Sequence, residues 1–338
     1  MLSPTRVFFL GAGASVDAGV PMAGELLTKI RKTDPYQRRQ YKFYKQPSDR
    51  AFLKIAIESV LRSRNWVRAV GLNTFNVERL LSMGEMASRL GLGIPYEGGK
   101  LVEARWFVDV LMSWILEIIE QSMKEKLPKC YQRFSDYLRP TDTLVTLNYD
   151  LVCETYLRNG SKGAEYHIVG SGSHNSSGCF GSSIDLLKLH GSVNWRRCVQ
   201  TSEEKSCGNV FIHEDHDIPV PGYGSARVCE CGRGVLRSFV VAPTPLKDYE
   251  DAALMLIWKL AVKKLLSATD IYIIGYSMPA YDMGVRNLLG LVSVNNKNAT
   301  FHIVNPDGKC DRAFAFLPET RRRMVRSDFR SFVTNETL

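Results

Sequence analysis

Apolar residues follow two patterns along this chain. Short, mostly apolar runs stand at Val7–Leu10, Thr143–Leu147, Leu186–Leu189, Ile271–Ile274 and Ile303–Val304. Runs of this length without polar alternation are the mark of parallel strands covered on both faces. Each run ends on small or polar residues: Gly11, Asn148-Tyr149-Asp150, His190-Gly191-Ser192, Gly275-Tyr276-Ser277 and Asn305. Elsewhere the period lengthens to that of a helix, through Phe52, Ile55, Ala56 and Val60, through Phe107, Leu111, Trp114, Ile115 and Ile118, and through Leu254, Ile257, Trp258, Ala261 and Leu265. Asn76 is placed to cap a helix burying Val77, Leu80, Leu81 and Met83.

These patterns predict an α/β fold, a Rossmann-like parallel sheet with helices on both faces. Residues 1–29 and 138–338 form the expected core. Residues 30–137, where strand-like runs disappear, form a helical insertion, and residues 195–240 a small cysteine-bearing module. The Lys-, Arg-, Tyr- and Gln-rich stretch 31–50 is expected to be an exposed connection, and Ser171–Ser183 a loop. With 338 residues, 45% of them hydrophobic, the chain can bury one large core and a smaller module.

Charge adds little to this picture. The net +9 is spread along the chain and concentrates only at Arg321-Arg322-Arg323, Arg326 and Arg330, which reads as a solvated helix face rather than a nucleic-acid surface. The longest apolar stretch, Phe107–Ile119, is interrupted by Asp109 and Glu117 and is too short to span a bilayer. The first strand begins about half a dozen residues from the start, so no signal peptide is expected. Eight cysteines without a leader point to reduced thiols or a metal site, and to a cytoplasmic protein.

The strand ends carry the candidate chemistry. Gly11-Ala12-Gly13-Ala14-Ser15 follows its strand at once, with almost no side chains to keep a diphosphate away. A helix dipole behind such a loop contributes only about 0.3–2 kcal/mol, so the site needs partners from elsewhere. A tight strand-to-helix turn without a ligand reads the same way. Asn148 and Asp150 stand where an open α/β sheet faces its ligand crevice; as plain helix caps they would contribute about 1 kcal/mol. His190 ends a strand at the same topological edge.

The longer string Gly11-Ala-Gly-Ala-Ser15-Val-Asp17-Ala-Gly19-Val-Pro21 resembles the first nucleotide-binding motif of the sirtuin superfamily. Thr146-Leu-Asn148-Tyr-Asp150 and Lys188-Leu-His190-Gly191 resemble the second and third motifs, and Ile273–Ser277 and Ile303–Pro306 the ribose- and adenine-binding loops, all in the family's order. The resemblance covers residues 5–29 and 140–310. It implies NAD+ as substrate, held by Gly11, Ala12, Gly13, Ala14, Ser15, Asp17, Gly19, Thr146, Gly275, Tyr276, Ser277, Asp282 and Asn305, with Asn148, Asp150 and His190 as catalytic residues. Cys231–Val241 resembles the second half of the family's zinc ribbon, which implies a structural Zn2+ on Cys198, Cys207, Cys229 and Cys231. The spacing departs from paired Cys-x-x-Cys, His213 and His216 are alternative ligands, and four reduced thiols are the metal-free reading.

Further departures bear on the reaction. Family deacylases carry Phe-Arg shortly after the proline of the first motif, where this chain has Met22-Ala23-Gly24. They clamp the acyl-lysine peptide with a segment whose counterpart here is Val240-Val241-Ala242-Pro243-Thr244-Pro245. The usual Gln before the catalytic Asn is Leu147. Gly275-Tyr276-Ser277 with Asp282 downstream resembles sirtuin-like proteins of bacterial antiphage systems. The resemblance therefore implies an NAD+ glycohydrolase giving nicotinamide and ADP-ribose, a defence effector that depletes NAD+. An NAD+-dependent protein-lysine deacylase and a non-catalytic NAD+ or ADP-ribose sensor are the alternatives. A homo-oligomer, or a partner ATPase or sensor protein, is implied as well.

Overall fold

The structure is a computed structural model that describes residues 5–32, 47–62, 77–96, 100–168, 182–200, 205–212, 228–242, 251–279 and 282–335. The Asn76 cap, His213, His216, Pro243, Pro245 and most of 31–50 and 171–183 lie outside the described residues.

The apolar runs pair as a seven-stranded parallel sheet. Its strands are β1 (Arg6–Leu10), β4 (Thr143–Thr146), β5 (Gly163–Glu165), β6 (Ser183–Lys188), β10 (Asp270–Ile274), β11 (Thr300–Val304) and β12 (Arg322–Val325), in the order β12-β11-β10-β1-β4-β6-β5. All neighbours run parallel, with Leu10 level with Ile274 on one side and Thr146 on the other, and Thr146 level with Lys188. The register brings the chemistry-bearing residues to one edge because each follows the last residue of its strand.

Helices cover both faces of the sheet. On one face Phe8 stacks on Tyr272 and meets Phe134 edge-on, and Phe134 in turn meets Phe329. Those aromatic contacts fix α5 (Lys129–Tyr137) and α10 (Phe329–Asn335) against the sheet. The remaining core helices are α1 (Ala23–Lys32), α6 (Val152–Asn159), α7 (Ala252–Ser267), α8 (Met283–Asn295) and the single turn α9 (Cys310–Ala313). Asp251 caps α7 by accepting from the amides of Ala253 and Leu254, a contribution of about 1 kcal/mol.

Residues 47–122 hold α2 (Pro47–Arg62), α3 (Val77–Arg89) and α4 (Ala104–Ser122). On α4, Phe107, Leu111, Trp114, Ile115 and Ile118 are all buried, and so are Val108, Met112 and Glu117, so the helix is enclosed on more than one face. Strand-like runs do not wholly vanish here: β2 (Gly93–Tyr96) and β3 (Lys100–Glu103) form an antiparallel hairpin. Four-residue strands containing Gly93 and Pro95 carry too few apolar positions for periodicity to reveal them.

A second, antiparallel sheet of order β8-β7-β9 joins β7 (Gly191–Gln200), β8 (Val210–Ile212) and β9 (Gly234–Val240). Arg321 ends a 3-10 turn and Arg322 and Arg323 stand on β12 rather than on the helix face expected from their charge, whereas Arg330 is exposed on α10. Arg321 donates to the carbonyls of Asn296 and Ser293, Arg322 to that of Phe314, and Arg330 pairs with Asp17. Carbonyl acceptors at element ends draw the Arg321 and Arg322 guanidinium groups inward, an effect absent from a one-dimensional charge pattern. Among the described residues no helix is long and apolar enough to cross a membrane.

Candidate functional site: a crevice at the strand ends

The loop after β1 is held backbone to backbone. The Gly11 amide donates to the Ile274 carbonyl at 2.9 Å and the Gly13 amide to that of Gly275 at 2.8 Å. A Cβ on Gly11 would lie 2.7 Å from the Gly275 oxygen, and one on Gly275, whose φ is +65°, would lie 2.4 Å from the Ala14 nitrogen. The glycines are thus required first by the close approach of two strand-end loops. The chain does not pass straight from this loop into a long helix. Ala12–Ala18 forms a 3-10 helix closed by Gly19 at φ +93°, and α1 begins only at Ala23. Tyr131 of α5 pins this segment, donating to the Ala14 carbonyl at 2.8 Å and accepting from the Ala18 amide at 3.1 Å.

Asn148 reaches across from β4. Its Nδ2 donates to the Gly11 carbonyl at 3.0 Å and to Ser15 Oγ at 3.1 Å. A carbonyl can only accept, so the nitrogen is identified and the side-chain carbonyl of Asn148 is the atom left to meet a ligand. Thr146 spends its hydroxyl on the Leu10 carbonyl at 3.0 Å and accepts from the Asn148 amide, bracing the strand end.

Asp150 is buried. Its carboxylate is hydrogen-bonded by Ser15 and accepts from the amide of Val152, the first residue of α6, at 3.0 Å. Burial pushes the Asp150 carboxyl up, while Lys188 and the bonds from Val152 and Ser15 pull it back. The result is a directed chain in which Asn148 donates to Ser15 and Ser15 to Asp150.

His190 is buried at the start of the turn into β7, its ring centroid 6.5 Å from that of Tyr149. Gly191 follows at φ +81°, where a Cβ would lie 2.2 Å from the Phe239 carbonyl oxygen. The His190 carbonyl accepts from the Val241 amide at 2.9 Å, and Tyr149 Oη donates to the Val241 carbonyl at 2.6 Å.

At the β10 and β11 ends, Tyr276 donates its hydroxyl to Asp282 at 2.6 Å and both are buried. Asn305 donates to the Tyr276 carbonyl at 3.4 Å and accepts from the Asp307 amide. These three residues hold one another, and Ser277 is exposed beside them. Asp17 faces away toward α10, where Arg330 meets its carboxylate at 2.5 Å.

The four cysteines gather in the second sheet. Their sulfurs all lie within 4.8 Å of one another, with Cys198 Sγ 3.7 Å from Cys231 Sγ and Cys207 Sγ 3.7 Å from Cys229 Sγ. Thiolates held about 2.3 Å from a tetrahedral zinc stand about 3.8 Å apart, so this donor set fits the ion. The four form one mutual cluster, which the linear spacing does not show: β7 and β9, joined in register at Cys198 and Leu236, bring the distant cysteines together. The Cys231 thiol is pulled down to about 6 by the Arg233 and Cys207 amides, whereas burial pushes Cys229 up to about 12.

Sequence reasoning missed Tyr131 and a buried polar group under the crevice. Lys188 donates to the Asp150 carbonyl and to Glu154 at 2.9 Å, Tyr166 donates to Glu154 at 2.8 Å, and Asn194 approaches the Tyr166 hydroxyl at 3.5 Å. A lysine inside an apolar strand run was the available signal, since it is buried there only with partners.

No family model matches the sequence, and no curated protein matches it either. Solved structures do. A Sir2 homologue mutant in complex with ADP-ribose superposes with a TM-score of 0.52 at 16% identity, over 97% of this chain and 88% of that one. A second Sir2 homologue mutant–ADP-ribose complex gives 0.51 at 16% identity over the same shares. A Sir2 homologue–NAD complex gives 0.50 at 17%, over 97% of this chain and 86% of that one. The chain has the fold of the Sir2 homologues.

Proposed function

We propose that this protein is an NAD+ glycohydrolase: water displaces nicotinamide from the ribose, giving nicotinamide, ADP-ribose and a proton. The observation that carries water over an acyl-lysine as acceptor is at Val241. In a deacylase the matching segment must offer free backbone groups to a peptide strand. Here the Val241 amide and carbonyl are bonded to His190 and Tyr149, and the Val240 position is already opposite Gly191 in the second sheet.

In this reading the diphosphate lies along the loop from Gly11 to Gly19, and the ribose and adenine approach the loops at Gly275–Ser277 and Asn305, with Asp282 holding Tyr276. Breaking the C–N bond develops an oxocarbenium-like cation. Asn148 has both amide hydrogens committed, so it acts as an acceptor toward the attacking water or the nicotinamide amide. Asp150, through Ser15, holds Asn148 and contributes negative charge near the cation. His190 takes the proton from the water or from a ribose hydroxyl. A tetrahedral zinc on the four cysteines has no open position, so its role is to hold the second sheet. Depletion of NAD+ in antiphage defence, a cytoplasmic site of action and assembly as a homo-oligomer or with an ATPase or sensor partner belong to this reading through the resemblance of the Gly275-Tyr276-Ser277 and Asp282 pattern.

Asn148→Ala tests the assignment. We expect nicotinamide release to fall about 100-fold or more while NAD+ binding persists, the pattern for a group that acts in the transition state. Equal turnover in Asn148→Ala, His190→Ala and the unaltered protein would remove both residues from the site. NAD+ binding with no turnover in any of them would favour the sensor reading.

A further inference from the structure

Lys188 is 1% exposed and is the one lysine buried among the described residues. It lies on β6, two residues before His190, and is level with Thr146 of β4. A buried ammonium costs several kcal/mol unless it is paired and hydrogen-bonded. Lys188 meets both conditions: it donates to the main-chain carbonyl of Asp150 and to the Glu154 carboxylate at 2.9 Å. Glu154 is itself held by the Tyr166 hydroxyl at 2.8 Å. One strand therefore delivers His190 to the crevice and, beneath it, a fixed cation against the backbone of Asp150.

We propose that Lys188 is a positioning residue of the crevice, clamping the Asp150 backbone and setting the charge of its carboxylate behind Ser15. Two acidic residues, Asp150 and Glu154, are buried around one ammonium, which bonds the main-chain carbonyl of the first and the carboxylate of the second. Lys188 from β6, Glu154 and Cys153 from α6, Tyr131 from α5 and the hydroxyl of Ser15 are the groups that face it. Lys188 favours the carboxylate and Glu154 opposes it. Removing the lysine must raise the pH at which Asp150 titrates, and neutralising Glu154 must lower it. A residue that merely filled space would leave that pH where it is.

The test compares three proteins: the unaltered chain, Glu154→Gln, and the double variant Lys188→Met with Glu154→Gln. The double variant avoids stranding an unpaired carboxylate, the outcome most apt to unfold a Lys188→Met single variant. The first readout is the titration of the Asp150 carboxyl carbon by NMR with labelled aspartate, assigned by its loss in Asp150→Asn. We expect the midpoint to move down in Glu154→Gln and up by at least one pH unit from there in the double variant. Coincident midpoints in the three proteins overturn the proposal.

The second readout rests on the hydrolase reading: the acid limb of nicotinamide release against pH should follow the same two displacements, with kcat at pH 7 at least 10-fold lower in the double variant than in Glu154→Gln and KM within about threefold. If the unaltered protein releases no nicotinamide, that reading fails and the NMR titration still decides the role of Lys188. If release occurs and the NMR midpoint moves but the acid limb does not, Lys188 does not act through Asp150 in the reaction, and the positioning role is overturned.

Discussion

The crevice and the cysteine module are neighbours on the chain, joined at Gly191, and they are built by opposite means. The crevice is an outcome of the sheet: once β10, β1, β4 and β6 are in register, Gly11, Asn148, His190 and Gly275 have nowhere else to go. Its precision comes from main-chain hydrogen bonds between adjacent strand ends and from the burial of runs such as Val7–Leu10. The module has three strands, one of them only three residues long, and its buried residues, Trp195 and Phe239 among them, join the main core. Four sulfurs at tetrahedral separation add a ligand set that could cross-link it through a metal ion. A site made by a core tolerates the loss of a ligand; a site made by ligands does not.

Metal removal should break the comparison most widely. Structural zinc in small domains contributes about 10–16 kcal/mol. We expect one zinc per chain by elemental analysis, and chelation should abolish protection of β7–β9 amides in hydrogen exchange while β1, β4 and β10 stay protected. Four thiols titrating freely in the folded protein, with no zinc present, would contradict the metal assignment.

Next come the glycines. Gly275→Ala forces a Cβ to 2.4 Å from the Ala14 nitrogen at a positive φ, and should cost about 2–4 kcal/mol in urea unfolding. Gly290→Ala on α8, where a Cβ meets open space, should instead stabilise by about 0.5–1 kcal/mol. The same chemical change with opposite signs separates a glycine the crevice requires from one it does not.

Tyr131→Phe removes both hydrogen bonds to the 3-10 segment and leaves the Ala14 carbonyl and Ala18 amide without that partner. A loss of about 1–3 kcal/mol is expected, with NAD+ affinity falling as the loop loosens.

The smallest effect sits beside the strand that links the two regions. Burial pushes the Glu120 carboxyl of α4 up to about 7, against the opposing pull of Arg196 on β7. A carboxyl raised in the folded state is stabilising when neutral, so its contribution is present at low pH and is lost as pH rises from about 4.5 to about 7. Glu120→Gln should therefore raise stability at pH 8 relative to pH 5, by on the order of 1 kcal/mol. An equal change at both pH values would show that Glu120 is ionised throughout.

The sequence disclosed the two regions unequally for the same reason. Buried parallel strands leave a contiguous apolar signature, and each ends next to its candidate residue, so β1, β4, β6, β10 and β11 and the crevice they form were legible from local sequence alone. The β2–β3 hairpin was not, because strands of four residues carry no readable period. The four cysteines were legible as a set through the family resemblance, while their spacing alone argued against it, because their meeting is decided by the antiparallel register of β7 and β9. Arg321 and Arg322 depart from the solvated face expected of them because their acceptors are main-chain carbonyls that a charge pattern does not show, whereas Arg330 is exposed on α10 as its charge implies. Lys188 was visible as a charge in a buried strand, but its partner Glu154 is identified only once α6 packs against β5 beside β6.

The most direct measurement is nicotinamide release from NAD+ by the purified protein, with and without an acetyl-lysine peptide. Release without peptide, an unchanged rate with it, and loss of release in His190→Ala are expected. Release only when the peptide is present would contradict the closed backbone at Val241 and return the protein to the deacylases.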